Sequence, residues 1–281
     1  MEKPTSTGIA PRGSGLRSSL RHIAGRCFPL VCYAPRRIHA RGYAVVSKTS
    51  GLAIRRADHW FFAAMAALVI AMVSIGFAHT YYLAGLVRAP LPSPLVHVHA
   101  IAFSCWVLFL LTQVILASCG WMRWHMRLGN LGMILAALLV VIGFATLVAA
   151  IRRHAAPGMS TEALLADDTL QLSAFAVLAG CAFWWRRNGP AHKRLILLAT
   201  ASLMGPALSR WPWDFVFSSA LVFYAILNSF SILLIAYDLS TRHRIHAATA
   251  FGALLLGTMQ AAMETLGHAG FWSRLALWIQ Q

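Results

Sequence analysis

Twelve histidines are the groups through which this 281-residue chain could do chemistry. Imidazole titrates near neutral pH and binds transition metals or haem iron through a ring nitrogen. His99, Phe103, Trp106, Leu110 and Gln113 recur at steps of four and three within one apolar run, so a helix places them on a single face. That face should look into a bundle. A polar group within a membrane is costly unless partnered, which makes the stripe a place to expect function. His125, His192 and His246 stand beside basic residues, in WHMRLG, AHKRL and RHRIHA. Gly129, Gly132, Ala136 and Gly143 follow His125 on one face, and Ala250, Ala253 and Gly257 follow His246. Small residues admit either another helix or a flat macrocycle. His99, His125, His192 and His246 are therefore the expected ligands of haem b or a transition metal, with Gln113 hydrogen-bonding behind them.

A second polar stripe lies further along. Gln260, Glu264 and His268 are spaced by four and rise toward the depth expected for His97 and His99. His97, His268 and Glu264 are the expected members of a metal or proton site there. His97 and His99 point about 200° apart on a helix, so they do not chelate together. Asn228, with Tyr224 and Ser231 on its face, reads as glue between helices. Asp238 is expected to pair with Arg242 one turn on, and Arg210 with Glu264, with Asp214 and Asp168 as competing carboxylates and lipid phosphate as the alternative partner of Arg210. The competing reading of the basic-flanked histidines is contact with lipid phosphate.

Composition sets the surroundings of these groups. Hydrophobic residues make up 59% of the chain and charged residues 11%, which is too apolar for a soluble domain. The formal charge is +16, but 11 of the 24 Lys and Arg fall in the first 59 residues and the rest flank apolar runs. That distribution follows membrane orientation, and nucleic acid is not an expected partner. No Cys-x-x-Cys-His occurs among the five cysteines, which removes c-type haem and leaves b-type haem. Cys105, Cys119 and Cys181 lie in apolar runs and read as small core residues.

The elements that must position the histidines are long apolar segments. Seven are expected, at 60–83, 96–118, 131–151, 164–185, 195–208, 215–237 and 247–266. The fourth and fifth are the weakest, because Asp167 and Asp168 open the fourth and Pro206 sits near the end of the short fifth. Arg123, Arg127, Arg186, Arg187, Lys193, Arg194, Arg242 and Arg244 then share the side of the basic N-terminus. Arg88, Arg152, Arg153, Arg210 and Arg274 take the other. The expected fold is an all-α membrane protein, a bundle of seven transmembrane helices with the N-terminus inside and the C-terminus outside. Residues 1–56 have Glu2 as their only acid and read as a disordered tail, with a composition like that of a targeting segment or a start set too far upstream. Residues 57–270 make the membrane domain, and 271–281 a short amphipathic segment.

The set formed by His99 and Gln113, the His-x-Arg-Leu-Gly run at His125 to Gly129, and AHKRLILLATASLMGPALSRWP resembles an uncharacterised bacterial family of predicted multi-spanning integral membrane proteins. In that family Arg directly follows the second histidine, whereas Met126 precedes Arg127 here. The resemblance covers about residues 57 to 250 and implies location in the bacterial inner membrane, without supplying an activity. Histidines at helix ends give a looser likeness to membrane b-type cytochromes. Together these readings lead to the expectation of a membrane protein that holds haem b or a metal for electron transfer or cofactor handling. A redox partner or a second copy would be its protein partner. The alternative is a non-catalytic membrane protein or small-solute carrier with structural histidines.

Overall fold

A computed structural model describes residues 45–84, 93–153, 159–267 and 269–281, with side chains from residue 56 onward except that of Leu266. The described residues are helical and contain no strand. In chain order the helices are α1 (Val45–Phe77), α2 (Pro94–Ser118), α3 (Met122–Arg152), α4 (Thr161–Trp184), α5 (Gly189–Ser202), α6 (Gly205–Leu208), α7 (Ala220–Leu227), α8 (Ser229–Arg242), α9 (Ala247–Leu266) and α10 (Gly270–Gln280). A π-helical turn, Ala78–Tyr82, ends the first helix, and a 3₁₀ turn, Asp214–Phe217, precedes α7. Residues 45–56, which composition assigns to the tail, are the opening turns of α1.

Four helices are long and apolar enough to cross a membrane: Arg56–Tyr82, Pro94–Ser118, Met122–Arg152 and Thr161–Trp184. The pair α7 and α8, bent by 51°, makes a fifth when counted as one broken span. These helices mark the chain as a membrane protein. Their outward faces carry Ile101, Leu108, Leu138 and Val141, all exposed, as lipid contact requires. The bend falls at Asn228, whose side-chain amide donates to the Tyr224 carbonyl and to Gln260 Oε1 on α9. A side chain that satisfies a carbonyl at a break is a recognised cause of a kink, and here it also ties two helices together.

The fifth apolar segment takes a different form from a simple span. It is broken after Ser202, where Leu203 and Met204 donate to Thr200 and Ala201 in tight 3₁₀ fashion before the four-residue α6 begins. Pro206 accounts for the break, since its ring cannot donate and would clash with the carbonyl four residues back. This short element lies at the centre of the molecule. Leu195, Leu198, Ala199 and Leu208 are completely enclosed, packed with Phe175, Leu178, Phe230 and Leu234. Helices α1, α4, α8 and α9 pack around α5, and α6 lies against α1.

Arg194 is enclosed there as well, and its partner is Asp238 of α8 rather than a surface group. Asp238 also accepts from Thr249 Oγ1 at 2.6 Å and from the His246 backbone N–H at 3.1 Å, while Arg194 donates to Pro190 O at 2.9 Å. The expected Asp238–Arg242 pair is therefore replaced by a buried network joining α5, α8 and the start of α9. Burial decides the choice, because an enclosed carboxylate needs a cation at the same depth.

Gly132 and Gly143 serve helix packing, whereas Gly129 and Gly257 face open space. A Cβ on Gly143 would lie 2.7 Å from Leu172 of α4, and one on Gly132 would strike Phe109 of α2. Below His246, Ala250 and Gly257 face outward and Ala253 is half-buried. Cys119 is disulfide-bonded, a role the apolar sequence around it does not announce. The C-terminal segment forms the expected short helix, with Ala276 and Ile279 buried on α3 and α4 while Leu277 and Trp278 point away.

Candidate functional site

The structure brings His125, His192 and Gln113 to one recess of about 410 Å³ at the basic end of the bundle. Phe62, Ala66, Leu110, Val114 and Ile196 give it apolar walls, and Asp58, His59 and Lys193 add polar groups. Gly120 makes the approach of His125 possible. It ends α2 with φ +76°, a left-handed conformation that glycine adopts freely, and the chain turns back into α3. His125 Nδ1 then meets the Gln113 carbonyl at 3.3 Å. His192 arrives by a second reversal, in which the Asn188 side chain caps α5 by accepting from the Ala191 N–H. Its Nδ1 lies 2.8 Å from the carbonyl of Ala182, in the last turn of α4 where helix carbonyls lack internal partners.

Those two contacts fix the tautomers. A carbonyl oxygen only accepts, so each Nδ1 carries a proton, and in the neutral ring Nε2 presents a lone pair. Neither Nε2 has a protein hydrogen-bond partner among the described residues. The two rings stand 6.4 Å apart, centre to centre, with planes at 86°. Gln113 thus acts through its backbone carbonyl. Its side-chain amide is buried with neither atom partnered.

The other expected ligands lie elsewhere. His99 is on α2, 14 residues before Gln113, or roughly 21 Å along the helix. Its ring stacks on Phe103 at 4.2 Å and its buried Nδ1 has no partner. His246 is the N-cap of α9, where Nδ1 accepts from the Ala248 N–H at 3.1 Å. Burial and then the charges of Arg194 and Arg242 hold its pKa below the usual imidazole value, which preserves the neutral form that the cap needs.

At the opposite end, two of the three residues expected to form a metal site are described. His97 is exposed and bonded to the Tyr81 hydroxyl at 2.9 Å, and Glu264 accepts from the Tyr224 hydroxyl at 2.7 Å. His268 lies outside the described residues. Among the described residues no three His, Cys, Asp or Glu side chains are grouped so as to hold a metal ion. Arg210 does not pair with Glu264. It donates to the Pro206 carbonyl at 2.6 Å and lies 5.1 Å above the Phe77 ring, because α6 turns it toward α1.

Sequence reasoning missed one part of the recess. Lys193 Nζ lies 2.8 Å from Asp58 Oδ1, and Tyr237 donates to the same oxygen at 2.6 Å. Tyr237 in turn stacks on Phe61 at 4.0 Å. Asp58 opens the first span as its only acid, which was the available signal. No family model, curated protein or solved structure matches the chain.

Proposed function

We propose that the recess is a cofactor site in which His125 and His192 hold haem b through their Nε2 atoms, in a protein of the bacterial inner membrane that takes part in electron transfer. The observation that carries this reading is the matched state of the two imidazoles. Each has Nδ1 anchored on a carbonyl of a different helix and Nε2 left bare beside an apolar recess. A histidine that ligates iron or zinc is commonly held in this way, with the second nitrogen fixing tautomer and orientation.

The donor set favours a macrocycle over a bare ion. A lone transition metal needs three or four protein ligands, whereas a porphyrin would bring four nitrogens of its own and require fewer from the protein. His125 and His192, whose rings lie 6.4 Å apart and both border the recess, would be the residues that hold it. Bound haem would supply one-electron chemistry, while the chain's part is to orient the imidazoles and exclude water with Phe62, Leu110 and Ile196. In this reading the bundle has seven spans, with α5 and α6 together as the fifth, the N-terminus inside and the C-terminus outside.

An absorption spectrum of the purified protein tests the proposal. A Soret band with reducible α-bands is expected, lost in both His125→Ala and His192→Ala. A colourless protein that takes up no added haemin would overturn it.

A further inference from the structure

The recess has a charged rim that its apolar walls do not explain. Lys193 and Asp58 are both only partly exposed, with 27% and 22% of their side chains reached by solvent. An ammonium group has three N–H donors, and one of them meets Asp58. The Lys193 nitrogen lies 4.5 Å over the ring of Phe62, a wall residue, so its charge sits at the edge of the apolar space. Asp58 divides its acceptor capacity between Lys193 and Tyr237. Arg194 is also close, but Asp238 neutralises it. Arg242 stands within Coulomb range of Lys193 and has no ion-pair partner among the described residues. The local sum is one uncompensated positive charge, three cations against two carboxylates.

We infer that Lys193, steadied by Asp58 and Tyr237, recognises a carboxylate on the ligand, so that the recess selects a flat apolar ring bearing acid groups over the same ring esterified. The inference rests on the haem reading and specifies which part of that molecule the rim contacts. A carboxylate accepts from the free donors of Lys193 and supplies the missing negative charge, while the ring occupies the space walled by Phe62, Leu110 and Ile196. Such a contact would orient the ligand within the recess. Lys193 is thus a positioning residue. The ligands remain His125 and His192.

The test compares haemin with its dimethyl ester, titrated into the detergent-solubilised full chain and followed by the Soret band. Haemin should bind at least about tenfold more tightly than the ester, the scale of one charge-assisted contact. The preference should persist in Lys193→Arg and fall to near unity in the double variant Asp58→Asn, Lys193→Met, which strands no charge. Comparing variants cancels the different partitioning of the two haems into detergent, and a melting curve of each ligand-free variant verifies folding. Equal affinity for both compounds in the wild type, or a preference unchanged in the folded double variant, would overturn the rim assignment and leave the haem reading standing. Failure of both compounds to produce a Soret band would overturn both.

Discussion

The buried network around Arg194 shows how one side chain decides what its neighbours do. Arg194 and Asp238 are fully enclosed, and the carboxylate accepts from two further donors, the His246 N–H and the Thr249 hydroxyl. A pair of this kind adds little relative to apolar residues of the same shape, yet breaking it strands a charge. Arg194→Met should therefore cost about 3–5 kcal/mol, and Asp238→Asn introduced into that background should recover part of the loss. Chemical denaturation of the two variants in the same detergent measures the difference, and equal stabilities would show that no charge is stranded. His246 depends on the same network, since Asp238 holds its backbone N–H while its ring caps α9. Its lowered pKa makes the neutral ring the folded form. Above the unfolded imidazole value of about 6.5 that contribution is complete, and it declines as pH falls through the lower folded value. The melting temperature should fall on acidification below about pH 6.5, less steeply in His246→Asn, whose cap does not titrate.

Among the helices, the packing glycines are not equivalent. A Cβ on Gly76 of α1 would fall on the Ala207 carbonyl of α6, which backbone on both sides prevents from moving. Gly180 of α4 faces open space. Gly76→Ala should destabilise by about 1–3 kcal/mol, and Gly180→Ala should stabilise by roughly 0.5–1 kcal/mol. Melting curves in one detergent rank the two, and a loss at Gly180 would contradict its open surroundings. The long spans were legible in the sequence because lipid demands an unbroken apolar run, and the stripe from Trp106 to Gln113 turns inward as its period requires. Helix α5 was legible only as one of the two weakest segments. Arg194, Thr200 and Ser202 dilute its hydropathy, yet they are enclosed by protein, where polarity is satisfied by partners instead of being excluded by lipid. The site was half visible for a related reason. Histidine types and basic flanks singled out His125 and His192, but separating them from His99 and His246 needed the two chain reversals that set Nδ1 against particular carbonyls.

At the scale of the whole molecule, the cations cluster at the end where the recess lies, and proposed topology puts that end in the cytoplasm. Reporter fusions placed after Trp185 and after Gln281 should report inside and outside respectively. The same side for both would mean one span fewer or one more than the proposed seven. The central place of α5 also imposes an order on assembly. Arg194 is synthesised 44 residues before Asp238, and a cation enclosed in the bundle without its counter-ion is costly. Until α8 leaves the ribosome, the Arg194 end of α5 gains nothing by closing into the bundle. A nascent chain halted before Asp238 would therefore leave that end open to water and to protease.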